Sequence, residues 1–158
     1  RILSARVERT PPAATESGAR NQPFSKLRGR LSLPVRGELI GRFGAQKGGT
    51  AGAAGTQAKG IFIRAPGGQP VRAIAGGQVV YADWMRGFGN LLILDHGEAY
   101  LSIYANNESV LKQVGDRVGA GESVATTGAS GGNEETGLYF EMRHLGRAFD
   151  PLRWVKLK

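Results

Sequence analysis

Asn90-Leu91-Leu92-Ile93-Leu94-Asp95-His96-Gly97-Glu98-Ala99-Tyr100-Leu101-Ser102-Ile103-Tyr104 is the stretch that decides the fold. Two apolar runs, Asn90–Asp95 and Ala99–Tyr104, flank His96-Gly97-Glu98, a layout that predicts a β-hairpin whose glycine supplies a positive backbone angle. Outward from it, short apolar runs recur at Leu39-Ile40, Lys59–Ile63, Pro70–Ile74, Gln78–Tyr81, Ser123–Thr126 and Leu138–Met142. Between them lies turn chemistry, as in Ala65-Pro66-Gly67-Gly68, Gly119–Gly121 and Gly128–Asn133. Strands at such spacing predict an all-β fold, an antiparallel β-sheet sandwich or a closed sheet, with short helical turns. One such turn is expected over Asn107–Gln113, with Ser109 as its cap and Gly115 as its stop.

The 158 residues carry a formal charge of +8 and no cysteine. That length suits one domain of about 100–150 residues with a short appendage. Without cysteine there is no thiolate chemistry, no thiolate metal site and no disulfide framework. The charge is uneven: residues 1–30 are net +5 and the other 128 are net +3. We therefore read residues 1–30 as a basic linker or tail and 31–158 as the domain. Residues 1–23, with their Pro-Pro pair and small polar residues, are expected to be mobile, the stretch before Pro11 being compatible with a short helix. The start at Arg1, without a leader, is expected of an excised fragment or processed product, any signal peptide or anchor lying upstream.

Catalytic chemistry is hard to find. His96 and His144 stand 48 positions apart, the first expected at a hairpin tip and the second past the last strand, so convergence on a metal is not expected. No serine sits in a Gly-x-Ser-x-Gly elbow. Asp83, Asp95, Glu98 and Glu141 show no spacing that forces a pair together. The domain's modest charge, without basic-aromatic interleaving, argues against nucleic acid as a partner.

Several motifs nevertheless follow one another in a familiar order: Gly41-Arg42-Phe43-Gly44, Lys59-Gly60-Ile61-Phe62-Ile63, Ala65-Pro66-Gly67-Gly68, Gly76-Gly77-Gln78-Val79, Gly87-Phe88-Gly89-Asn90, Ile93-Leu94-Asp95-His96-Gly97, Tyr104-Ala105, Val114-Gly115-Asp116, and Leu138-Tyr139-Phe140-Glu141-Met142-Arg143 before Asp150-Pro151. In this order residues 39–154 resemble the lysostaphin/LytM-type zinc endopeptidase domain, a β-sheet fold that cleaves peptidoglycan cross-bridges. The departures are as informative. Where that family has His-x-Gly-x-Asp, this chain has Ala58 and Phe62; Tyr-Ala-His becomes Tyr104-Ala105-Asn106; the closing His-x-His becomes Gly137-Leu138-Tyr139. The resemblance thus implies that all three metal ligands and both catalytic histidines are gone. With them go the activated water and the Lewis acid, so no cofactor and no peptidase activity are expected.

This pattern of loss, with Ala82-Asp83-Trp84 and Gly128-Ala129-Ser130-Gly131-Gly132, resembles the EnvC-type murein hydrolase activators of Gram-negative bacteria. The resemblance implies a periplasmic, non-catalytic domain, C-terminal to a coiled coil in a division-site membrane complex. Its vacant groove would capture the autoinhibitory helix of a zinc-dependent N-acetylmuramoyl-L-alanine amidase. The positions matching that groove are Lys59, Phe62, Phe88, Leu91, Tyr104, Tyr139 and Arg143. Phe62, Leu91 and Tyr139 would meet the helix's apolar face, Lys59 and Arg143 its acids, and Gly60 and Gly137 would allow close backbone approach. Two readings of Phe62 and Tyr139 stay open here: a binding surface, or packing that fills a collapsed metal cleft. A passive peptidoglycan-binding module is the alternative function.

Overall fold

A computed structural model describes residues 23–44 and 58–156, so the segment before Pro23, including the stretch before Pro11, lies outside the described residues. Eleven strands follow in order: β1 (Glu38–Gly41), β2 (Ile61–Arg64), β3 (Pro70–Arg72), β4 (Gly77–Met85), β5 (Gly89–Gly97), β6 (Tyr100–Asn107), β7 (Ser109–Val110), β8 (Arg117–Val118), β9 (Ser123–Thr126), β10 (Gly137–His144) and β11 (Arg147–Phe149). An eight-stranded sheet runs β1-β2-β10-β6-β5-β4-β8, with β11 beside the second half of β10; a three-stranded sheet runs β3-β9-β7. All the strand pairings are antiparallel, as the sequence predicts.

The main core gathers Ile61, Ile63, Leu92, Leu94, Tyr104, Leu138, Phe140 and Met142 of the large sheet with Val71, Val124 and Ala125 of the small one. The opposite face of the large sheet carries a second cluster: Val80, Leu91, Ile93, Leu101, Ile103 and Ala105. Burial on both faces explains why Leu91–Leu94 reads as an unbroken apolar run instead of an alternating one.

The decisive hairpin is β5–β6, with its turn shifted from the expected place. Gly97 has φ +90°, and Glu98 and Ala99 also take positive φ, 57° and 67°. His96 consequently lies inside β5, not at the tip, and His144 closes β10 instead of following it. The helical turn expected over Asn107–Gln113 is absent. Asn107 ends β6 and Ser109–Val110 forms β7, because Ser109 Oγ meets Thr126 Oγ1 of β9 at 2.8 Å and Glu108 N donates to Thr126 O at 2.8 Å. Tertiary pairing here overrides a local cap signal.

Packing starts before Leu31, where the sequence reading opens the domain. Phe24, in a 3₁₀ turn over Phe24–Leu27, is buried and stacks between His96 (centroids 4.7 Å) and Trp154 (5.2 Å). Ser25 N donates to Glu98 Oε1 at 3.0 Å, and Leu31 bridges Val155 in parallel. Replacing Phe24 with Ala should cost about 3 kcal/mol in urea unfolding, and a chain begun at Leu31 should lose as much.

His96 Nδ1 donates to Gly76 O (2.7 Å), while Nε2 faces Ser102 Oγ (2.7 Å), itself 2.8 Å from Tyr104 Oη. Burial pushes this imidazole down from 6.5 to about 4, against the smaller opposing effect of the Gly76 carbonyl. The folded ring therefore stays neutral where the unfolded one takes a proton. Its contribution to stability is complete above about pH 6.5 and declines as pH falls toward 4, by about 1–2 kcal/mol given the residue's partial exposure. Urea midpoints at pH 7 and 4.5 should show a smaller acid loss in His96→Gln than in the parent.

Candidate functional site

The site is a row of side chains across the large sheet. Phe62 of β2 pairs with Tyr139 of β10, which pairs on its other side with Ala105 of β6; Leu91 of β5 continues the same face and pairs with Asp83 of β4. Phe62, Phe88 and Tyr139 are half-buried and Lys59 is exposed. The Phe88 and Tyr139 rings lie 6.3 Å apart, tilted by 43°, over the second apolar cluster. Two glycines let the strands approach. A Cβ on Gly137, whose φ is +156°, would overlap the Ile63 carbonyl oxygen, and one on Gly60 would overlap Phe140 O and stand 2.7 Å from Glu141 Cγ.

Along β10 the residues two apart form a polar ladder. Tyr139 Oη donates to Glu141 Oε2 (2.6 Å) and Arg143 Nε donates to Glu141 Oε1 (2.8 Å). Glu141 is 2% exposed, and its two partners satisfy both carboxylate oxygens. Burial, then the neighbouring carboxylate, raises the Tyr139 phenol well above its ordinary value, so it remains a hydrogen-bond donor. Glu141 is the site residue that sequence reasoning missed; the signal was Tyr139, Glu141 and Arg143 at period two on one strand.

Asn106 stands where the resemblance expects a catalytic imidazole, and it holds loops together. In a left-handed conformation (φ +64°), its Nδ2 donates to Phe88 O (3.2 Å) and Ser130 O (2.9 Å), and its N–H donates to Phe88 O (2.8 Å). Asn tolerates that conformation better than most residues.

The structure brings Phe62, Phe88 and Tyr139 to one surface, with Arg143 further along the same face of β10, and corrects Tyr104 and Leu91. Tyr104 is fully buried on the opposite face, its hydroxyl accepting from Ile74 N at 3.0 Å, because β6 alternation sends it into the main core. Leu91 is 2% exposed, a floor residue beneath the rings and not a contact surface. Arg143, on the same face of β10 as Tyr139, donates its Nε to Glu141, and Lys59, three residues before Phe62, is exposed. The positions implied to hold a metal offer no donor set that fits one. Ala58 and Phe62 have no ligand atom, the Tyr139 hydroxyl is engaged with Glu141 and the Asn106 amide with backbone carbonyls. Among the described residues, no three His, Asp, Glu or Cys side chains converge to hold an ion.

Gly137→Ala should cost more than about 3 kcal/mol, since its Cβ would meet β2 backbone that cannot rotate away. Gly119→Ala, with open space around it, should stay within about 0.5 kcal/mol by the same denaturant measurement.

Comparison with known proteins agrees with this geometry. The chain is 41% identical over 128 residues to the murein hydrolase activator EnvC of Escherichia coli, covering 81% of this chain and 29% of that protein. It is 42% identical over 123 residues to the murein hydrolase activator NlpD of the same organism, covering 77% and 30%. It thus spans about a third of the length of these relatives. The catalytic domain of the antimicrobial peptidase lysostaphin from Staphylococcus simulans superposes with a TM-score of 0.64 at 26% identity, covering 73% of this chain and 89% of that one. The model of peptidase family M23 matches residues 56–151, and this chain belongs to that family.

Proposed function

We propose that this chain is a non-catalytic regulatory domain that binds and activates a periplasmic N-acetylmuramoyl-L-alanine amidase, licensing peptidoglycan splitting at the division septum. The supporting observation is what has become of the peptidase positions. Rings, a committed phenol and a loop-binding amide stand there, yet Phe62, Phe88 and Tyr139 keep exposed area, and Arg143 follows Tyr139 on the same face of β10. Half-buried aromatics next to a cation, over an apolar floor, suit a helix laid in a groove. The names of the E. coli relatives, both murein hydrolase activators, point the same way. No helix among the described residues is long and apolar enough to cross a membrane. Attachment to a division-site membrane complex through a preceding coiled coil is part of the same proposal.

Activation follows from differential affinity. A groove that binds the amidase's autoinhibitory helix only when displaced stabilises the open enzyme, and each tenfold preference for that state contributes about 1.4 kcal/mol. Tyr139→Ala should lower amidase activation on purified sacculi about tenfold or more, and Lys59→Ala by a few-fold, both proteins remaining folded. Undiminished activation would remove the groove from the mechanism. Sacculus binding without any effect on amidase turnover would instead make the chain a passive peptidoglycan-binding module.

A further inference from the structure

At the far end of β10, on the face opposite the groove, lies a cavity of 660 Å³ whose wall is aromatic and whose rim is basic. Tyr100, Phe149 and Trp154 form the wall, with Tyr100 and Trp154 centroids 5.3 Å apart, Phe149 and Trp154 5.5 Å apart, and the His144 imidazole stacked on Tyr100 at 3.9 Å. Arg28, Arg147 and Arg153 line the same cavity. All three are exposed, and the ion pairs found among the described residues involve none of them. Arg28 lies over the Trp154 ring at 5.9 Å. The opposing acid is Asp150, whose Oδ1 accepts from Leu152 N at 3.0 Å and so caps the short turn that follows. His144 lies five residues from Tyr139 on the other face of the strand, about 16 Å along it, so this cavity shares no wall with the groove.

We infer that this cavity is a second binding site, for a carboxylate-bearing glycopeptide of murein, with the peptide carboxylates on the arginines and the sugar at the half-exposed edges of Tyr100 and Phe149. Three guanidinium groups around one engaged carboxylate leave a positive rim. Guanidinium forks match carboxylates in bidentate geometry, and with Trp154 covered by Phe24 and Arg28 and Tyr100 by His144 the wall offers a ring its edges. The assignment to murein rests on the functional reading above; the call for an anionic ligand with a ring rests on the cavity alone. The site would hold the domain on the wall polymer while the groove stays free for its protein partner.

Trp84→Phe, which alters an exposed side chain far from the cavity, leaves Trp154 as the sole indole reporter. Titration of that protein with purified disaccharide-tetrapeptide should change Trp154 emission saturably. The double variant Arg147→Glu/Arg153→Glu should bind about tenfold more weakly or worse, with its circular dichroism unchanged. The same disaccharide without its peptide should bind far more weakly than the glycopeptide. Tyr139→Ala should bind it normally even where amidase activation is lost, which separates this site from the groove. The proposal is overturned by an absence of saturation, by equal affinity in the charge-reversed variant, or by citrate saturating the signal as readily as the glycopeptide.

Discussion

Strand β10 is hydrogen-bonded along both edges, to β2 and β11 on one side and to β6 on the other, and its side chains alternate between a packed core and an open face. Leu138, Phe140 and Met142 are fully buried and fix that register. A slip of one residue would drive Glu141 into the apolar core and expel Phe140, so the cost of misregister is the cost of an unpaired buried charge plus a lost aromatic core residue. Everything described on either face depends on this one alternation. It aligns Phe62 with Tyr139, sets the period-two polar ladder, and sends His144 to the cavity side of the sheet.

The polar ladder shows how a carboxylate is held in such a cleft. A carboxylate on this apolar sheet face needs a counter-charge and donors; here Arg143 supplies the charge and a donor to Oε1, and Tyr139 a donor to Oε2. The phenol is thereby held by its own hydroxyl, which restricts the ring to the position it shares with Phe88. Packing and recognition, posed as alternatives for Tyr139 by the sequence, turn out to be compatible: the hydroxyl end is structural and part of the ring remains exposed.

Much of the fold was legible because turns and apolar runs are local signals. The hairpin from Asn90 to Tyr104 is present with its tip at Glu98-Ala99 instead of His96-Gly97-Glu98, and a strand covers Leu138–Met142 as the sequence places it. Ala58, Phe62, Asn106, Gly137 and Tyr139 stand out in the sequence only as departures from the motif order of the resembled family. What could not be read was set by contacts between distant segments. Ser109 reads as a helix cap until Thr126 is beside it, and Tyr104 reads as a groove residue until the strand faces are known. The aromatic cavity draws on residues 28, 43, 100 and 144–154, which no linear motif joins.

Asn106 has a consequence for how quickly and how selectively a partner is held. By tying the β4–β5 turn at Phe88 to the loop at Ser130, it makes one side of the groove a single preorganised unit. Such a surface has little conformational entropy left to lose on association, so under the proposed function the ordering cost would fall on the incoming helix. Discrimination among competing helices would then be written chiefly in residence time, with encounter rates much alike.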